Sequence, residues 1–267
     1  RLVMNRTLDR WWAYQLSTHP QAIAMGLERV REVAKRMDLL RLPCPLITVA
    51  GTNGKGSTIA FIEAIANASG LKTGVFTSPH FLRYNERFRL NGLDISDEAL
   101  VAAFEAIELA RAEIPLTYFE FGTLAAISIF AKSKLDVVIL EVGLGGRLDA
   151  VNILDADVSV ITTVDLDHQA YLGNDRESIG LEKAGIMRSG KPCILGEKDP
   201  PSSVLRYAYE HGVYCVRGYS DYLIDVFDNH WVWREPGFSL ELPFPTLEAP
   251  VQIQNAACAI PALRALQ

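Results

Sequence analysis

The run Pro45-Leu-Ile-Thr-Val-Ala-Gly-Thr-Asn-Gly-Lys-Gly-Ser57-Thr58 constrains this chain more than any other. Residues 46–50 are a continuous apolar stretch and read as a buried strand. Residues 51–56 form a glycine-rich turn, and the amphipathic residues 58–68 read as a helix. Strand, glycine turn and helix start together make an anion site. Glycines let backbone N–H groups close around phosphate, and the helix N-terminus adds positive potential. Lys55 is placed to reach terminal phosphates, and the Ser57 hydroxyl suits a Mg²⁺ ligand. The strict G-x-x-x-x-G-K-[ST] pattern is not met, because Val49 takes the first glycine's place and Gly56 separates Lys55 from Ser57. A turn that serves packing alone would not need a lysine and a serine at the helix start, so nucleotide binding is the favoured reading.

Apolar residues make up 49% of 267, which supports a substantial core of one large or two small domains. A formal charge of −6 argues against a nonspecific nucleic-acid partner. Cys44, Cys193, Cys215 and Cys258 show no metal-type spacing and read as reduced thiols of a cytoplasmic protein. No apolar run has the roughly 20 residues that span a bilayer, so no membrane partner is expected. The first residues lack the apolar core of a signal peptide.

Residues 1–44 read as a helical segment with helices at 7–14 and 22–37, packed on a core at 45–217. In that core, strands at 72–77, 135–142, 157–164, 192–196 and 213–216 alternate with helices at 96–113, 119–132, 176–188 and 202–211. The alternation predicts an α/β fold with a mostly parallel, P-loop-like sheet flanked by helices. The pattern changes at 218–250, where 222–227, 231–234 and 238–242 read as a small antiparallel β subdomain, with Trp231 and Trp233 on one buried face. A last helix covers 252–266.

Glu141 ends an apolar strand. Ligands of parallel sheets bind beyond strand carboxyl ends, so this carboxylate is placed to hold Mg²⁺ beside the phosphate loop. His168 follows two acids at another strand end, which suits a metal ligand oriented by a neighbouring acid. Ser78 alone is ordinary Ser-Pro turn chemistry, and Lys183 alone is a helix lysine beside Glu182.

The string Gly51-Thr-Asn-Gly-Lys-Gly-Ser57 resembles the variant phosphate loop of the Mur ligase superfamily. Thr77-Ser-Pro-His-Phe-Leu-Arg-Tyr-Asn-Glu-Arg87, Glu141-Val-Gly-Leu-Gly-Gly-Arg-Leu-Asp-Ala150, Leu166-Asp-His168, Glu182-Lys-Ala-Gly-Ile186 and Gln254-Asn-Ala-Ala257 are similar to strings of its folylpolyglutamate synthase/dihydrofolate synthase branch. Thr117-Tyr-Phe-Glu120 is similar to that branch's Thr-Phe-Phe-Glu string, with Tyr118 as a departure. The resemblance spans almost the whole chain. It implies an ATP-dependent ligase that joins L-glutamate to dihydropteroate, to folates or to both, through an acyl phosphate, as a cytoplasmic monomer. It implies ATP held by Gly51, Thr52, Asn53, Gly54, Lys55, Gly56, Ser57 and Thr58, with Asn255 near the adenine. It implies two Mg²⁺ ions at Ser57, Ser78, Glu141, His168 and Lys183, the last N-carbamylated, with Lys55, His168 and Lys183 serving catalysis. Carbamylation requires a neutral amine and therefore a desolvated site. Arg147, Asp149 and Ala150 fall where the pterin end of the substrate would lie, and Thr117 is a further substrate-binding position.

Family members carry a second α/β domain after the region of the last helix, so weak or no turnover is expected of these residues alone. Two other readings compete. A peptidoglycan-type Mur ligase is disfavoured because only 45 residues precede the strand leading into the phosphate loop. A non-catalytic nucleotide-binding module would have no reason to recognise a pterin.

Overall fold

The computed structural model describes residues 6–18, 26–166, 175–246 and 250–267. Two short helices, α1 (Leu8–Ser17) and α2 (Glu28–Arg36), precede the first strand, β1 (Leu46–Ala50). Then follow α3 (Lys55–Ala68), β2 (Thr73–Phe76), β3 (Phe88–Leu90), β4 (Leu93–Asp94), α4 (Asp97–Arg111), α5 (Tyr118–Lys132), β5 (Val137–Glu141) and β6 (Val158–Ile161). Helix α6 (Arg176–Ala184), β7 (Pro192–Leu195), α7 (Ser202–Glu210) and β8 (Tyr214–Arg217) complete the large sheet's sequence. Strands β9 (Leu223–Val226), β10 (Trp231–Glu235) and β11 (Phe238–Leu242) lead to α8 (Pro250–Arg264).

The large sheet has the order β4-β3-β2-β5-β1-β6-β7-β8. From β2 to β8 every pairing is parallel, with β1 central between β5 and β6. Its inner strands β1, β2, β5 and β6 are buried on both faces and sort by alternation. Leu46, Val138 and Leu140 join one core with Phe104, Phe121 and Phe130 of α4 and α5. Ile47, Val49, Val137 and Ile139 join a second core with Ile59 and Ile62 of α3 and Ala257 of α8. Thus α3 and α8 cover one face while α1, α2, α4 and α5 build the other, which explains the near-continuous apolar runs. The antiparallel trio β9–β11 adds Trp231 and Trp233 to the second core, at 2% and 0% exposure, as the alternation predicted.

The sheet is not wholly parallel. Strands β3 and β4 add an antiparallel edge, turning at Asn91 and Gly92, both with positive φ. They are too short for alternation to reveal, but the Asn-Gly pair is a hairpin signal the sequence did carry. Helix α2 is shorter than the predicted 22–37: Gly26 has φ of 129° and Leu27 only caps the helix, while 22–25 lie outside the described residues. Helix α6 stops at Ala184 rather than 188: the N–H groups of Gly185, Ile186 and Met187 bond three residues back, to the carbonyls of Glu182, Lys183 and Ala184, and Gly185 packs directly on Arg147, where a Cβ would meet the Arg147 Cα at 2.7 Å.

Candidate active site

The phosphate loop leaves β1 at Ala50 and enters α3 at Lys55, so the glycine turn sits at the carboxyl edge of the central strand. Two of its glycines are required by the geometry. Gly51 lies so close to the end of β6 that a Cβ would stand 1.8 Å from Thr162 Oγ1. Gly54 caps α3 at φ 84°, in the left-handed region. The loop is bonded to the chain after β6. Thr52 N–H donates to the Thr163 carbonyl at 3.0 Å, Asn53 N–H to Thr163 Oγ1 at 3.0 Å, and Thr162 Oγ1 to the Asn53 carbonyl at 2.5 Å. Lys55 Nζ folds back on the Gly51 carbonyl at 2.7 Å. The N–H groups of Lys55, Gly56 and Ser57 take no acceptor among the described residues, as expected of a helix's first turn. They are ready-made donors for an anion.

That helix start opens onto a cleft of about 580 Å³. Residues 52–56 form one wall. Ser78 from the exit of β2 and Glu141 from the end of β5 also line the cleft, Glu141 standing in register with Val49 of β1. Strands β2 and β5 are neighbours, and Ser78 N–H donates to Glu141 Oε1 at 2.7 Å. No donor among the described residues reaches Glu141 Oε2. Burial pushes the Glu141 carboxyl above its ordinary value, against the Ser78 N–H and the positive charges of Lys55 and Arg87. This half-satisfied carboxylate, with Ser78 in the same cleft lining, offers oxygen donors of the kind a hard divalent cation takes. The residues therefore fit Mg²⁺. Among the described residues no three or more of His, Cys, Asp and Glu cluster as a metal site, so phosphate oxygens would have to complete the coordination.

Thr117 caps α5 at the cleft rim: its Oγ1 accepts from Glu120 N–H at 3.2 Å, and Glu120 Oε1 accepts from Thr117 N–H at 2.9 Å. Glu120 Oε2 in turn takes Arg29 of α2 at 2.7 Å. Asp149 and Ala150 also line the cleft. Asp149 Oδ2 accepts from the N–H groups of Gly143 and Leu144, and Oδ1 from Val151 N–H. Burial nevertheless pushes its carboxyl up to about 6. The carboxylate shapes the 143–151 turn from inside.

The remaining expected residues lie around this cleft rather than in its lining. Ser57 and Thr58 sit in the first turn of α3, and Thr58 is fully buried. Asn255 is buried in α8 directly behind the loop, its Oδ1 2.5 Å from where a Gly54 Cβ would stand. Arg147 is drawn away: it pairs with Glu182 of α6 at 3.0 Å, and its N–H donates to the Glu182 carbonyl. Lys183 is buried at 1% exposure beneath the same turn, where a Gly146 Cβ would touch its Cα at 3.0 Å. His168 lies outside the described residues.

Sequence reasoning assigned no site role to Arg87, Tyr118, Phe119, Leu144 and Leu148, all of which line the cleft. Arg87 lies against the rings of Tyr84 and Tyr118, at 5.5 and 5.4 Å, and donates from Nε to His80 Nδ1 at 2.8 Å. Burial, then Arg87, lowers the His80 pKa, which keeps that acceptor neutral. The Phe119 ring packs on Gly143, where a Cβ would come within 2.7 Å. A pair of aromatics right after a threonine cap was the available signal.

Residues 49–222 match the family model of the Mur ligase middle domain. The chain is 50% identical over 260 residues to the dihydrofolate synthase/folylpolyglutamate synthase of Escherichia coli, covering 97% of this chain and 60% of that one. It is 45% identical to the Haemophilus influenzae protein of the same description, over 97% of this chain and 58% of that one. The solved E. coli FolC in complex with DHPP and ADP superposes with a TM-score of 0.93 at 48% identity, covering 98% of this chain and 62% of that chain. The bifunctional folylpolyglutamate synthase/dihydrofolate synthase of Yersinia pestis, complexed with AMPPNP and Mn ion, superposes with a TM-score of 0.92 at 47% identity, over all of this chain and 64% of that chain. The chain thus spans about 60% of the length of the curated relatives it matches.

Proposed function

Because the chain belongs to the dihydrofolate synthase/folylpolyglutamate synthase family of the Mur ligase superfamily, we propose that it carries the ATP- and pterin-binding half of an amide ligase. The ligase joins L-glutamate to dihydropteroate, to folates or to both. The observation that carries this reading is one cleft in which an anion-ready helix start and Lys55 face Glu141 and Ser78, beside an aromatic wall of Tyr118 and Phe119.

A substrate carboxylate oxygen attacks the γ-phosphorus of ATP, and the bond to the leaving ADP oxygen breaks. The glutamate amine then attacks the acyl carbon; a C–N bond forms, phosphate leaves, and the amine loses a proton. The first-turn N–H groups of α3 bind the phosphates. Lys55 leaves the Gly51 carbonyl to neutralise the transferring group, and Arg87 adds charge from the far wall. Mg²⁺ supplies charge neutralisation when bound. Ser57, Ser78 and Glu141 would hold it, with His168, and a second ion would take Lys183 once carbamylated. In that modification the neutral amine adds to carbon dioxide, forming an N–C bond and releasing a proton. Burial of Lys183 under the Gly146 turn supports a protected product. Thr117, Asp149, Ala150 and Phe119 receive the pterin end, while Arg147 braces the turn against Glu182. Asn255 sets the loop from behind and borders the adenine. The protein works as a cytoplasmic monomer without a nucleic-acid partner. No helix among the described residues is long and apolar enough to cross a membrane.

Calorimetry of ATP–Mg²⁺ with and without dihydropteroate tests the reading. Binding should be lost in Lys55→Ala and Glu141→Ala, and nucleotide should promote dihydropteroate binding. Nucleotide binding with no pterin recognition would reject the substrate assignment. Loss of the signal of ¹³C-labelled bicarbonate bound to the protein in Lys183→Arg would support carbamylation; an unchanged signal would reject it.

A further inference from the structure

A second cavity, of about 630 Å³, lies on the other side of the segment that carries Ser78. Ser78 and Pro79 face the ATP cleft, whereas His80 and Tyr84 face this one, opposite α1 and α4. Three residues of α1 give it chemical character. Gln15 is 1% exposed, and its Nε2 has no hydrogen-bond acceptor among the described residues. A buried amide donor left unmade costs about 1–3 kcal/mol, which an oxygen acceptor arriving in the cavity would offset. Trp12 is half exposed at the mouth, its ring edge-on to Tyr118 at 6.3 Å. Asp9 is exposed on the rim, and its carboxylate has no partner among the described residues.

These groups select against simple ions. A bare cation would meet the Gln15 amide donor. An anion would meet Asp9 and Asp97; among the described residues the one cation in the lining, Arg83, is paired with Asp97 at 3.3 Å, and Arg87 behind His80 is engaged with that ring at 2.8 Å. A flat ring with a carbonyl acceptor at one end and adjacent N–H donors at the other satisfies all three residues. Aromatic walls favour stacking of such a ring.

We propose that this cavity is a second small-molecule site for a 2-amino-4-oxo pyrimidine-fused heterocycle, whose carbonyl accepts from Gln15 Nε2, whose ring lies on Trp12, and whose amino edge donates to Asp9. Pterins and guanines both carry that edge. The site does not depend on the ligase reading, because none of its three recognition residues lines the ATP cleft.

The test is calorimetry on the whole chain with unsubstituted pterin and, separately, guanosine. Gln15→Leu and Asp9→Asn should each weaken binding of one equivalent at least tenfold, while Phe119→Ala leaves that equivalent intact. Asp9 is exposed, so Asp9→Asn remains decisive even if Gln15→Leu fails to fold. Sensitivity of guanosine but not pterin to these variants assigns the site to guanines, and the reverse assigns it to pterins. Binding that falls in Phe119→Ala but not in the α1 variants would overturn this proposal and leave the ATP-cleft reading standing. No binding of either probe at millimolar concentration, or none sensitive to the α1 variants, would also overturn it.

Discussion

Asn255 Oδ1 stands 2.5 Å from the position a Cβ on Gly54 would occupy, so the last helix and the phosphate loop meet without room for one methyl group. The two residues lie on α8 and at the cap of α3, the helices that jointly cover one face of the sheet. The contact explains why the loop's shape depends on a helix about 200 residues further on.

Replacement of Gly54 by alanine should therefore act in two ways. Residue 54 has φ of 84°, which costs a non-glycine residue about 1–2 kcal/mol. The collision with Asn255 adds to this. Gly54→Ala should lower stability by about 2 kcal/mol and weaken ATP at least tenfold. Adding Asn255→Ala should recover only the collision share of the stability. Denaturant melts of both variants check this, and full recovery in the double variant would show that backbone conformation contributes nothing.

Glu141 offers a separation of stability from metal dependence. Its carboxyl is raised by burial, so the charged form is tolerated rather than favoured in the folded protein. Glu141→Gln keeps an oxygen for the Ser78 N–H and removes the buried charge. Melting temperature should hold or rise near neutral pH. The strengthening of nucleotide binding by Mg²⁺ should fall at least tenfold, with Mg²⁺-free binding little changed. An equal loss in both conditions would remove Glu141 from the metal site.

The large elements were legible because each is carried by a local pattern. The run Leu46–Ala50 is apolar throughout, and the observed strand has those bounds. The alternation of Trp231 and Trp233 likewise announced a buried face. Ser78 and Glu141 could be placed at strand exits from order alone, and adjacency of β2 and β5 then brings them together. What was not legible depends on pairings that only the finished fold creates. Nothing local says that Arg147 turns to Glu182, and the aromatic pair Tyr118 and Phe119 after the Thr117 cap marks a candidate without saying that it forms the wall of the cleft. The Asn91-Gly92 hairpin was written in the sequence, but its strands are too short to be noticed by periodicity.

Asp149 makes stability depend on pH in an uncommon direction for a carboxylate. Its folded value of about 6 lies above the ordinary 3.8, because burial outweighs the three N–H groups it accepts from. Between those values the folded state holds the proton more often than the unfolded state. The stabilisation is thus present below about pH 4 and is lost as pH rises through 6, by about 3 kcal/mol for this group. The stability difference between the native protein and Asp149→Asn, followed from pH 4 to 7, should shift by that amount against the native protein. The misplaced amide of the variant adds a constant offset, not a slope. A flat difference would mean that Asp149 ionises normally in its turn.

Arg29 ties the N-terminal helices to the cleft wall. It reaches from α2 to Glu120 Oε2 at 2.7 Å, and the other oxygen of that carboxylate holds the Thr117 N–H at the α5 cap. Glu120 is 2% exposed, so removing Arg29 strands a buried charge next to the cleft. Breaking a fully buried pair from one side costs about 3–5 kcal/mol, and partial exposure of Arg29 places this pair at or just below that range. Arg29→Gln should cost about 2–3 kcal/mol. Arg29→Gln with Glu120→Gln should cost clearly less than the sum of the singles, since the stranded charge is gone and a glutamine at 120 still accepts from Thr117. A double-mutant cycle by denaturant melts reads the coupling. The same variants read the cleft: Arg29→Gln should raise the Kd for dihydropteroate more than that for ATP, because the displaced residues are Thr117 to Phe119 and not the phosphate loop. Equal losses for both ligands would mean that Arg29 supports the fold in general rather than this wall.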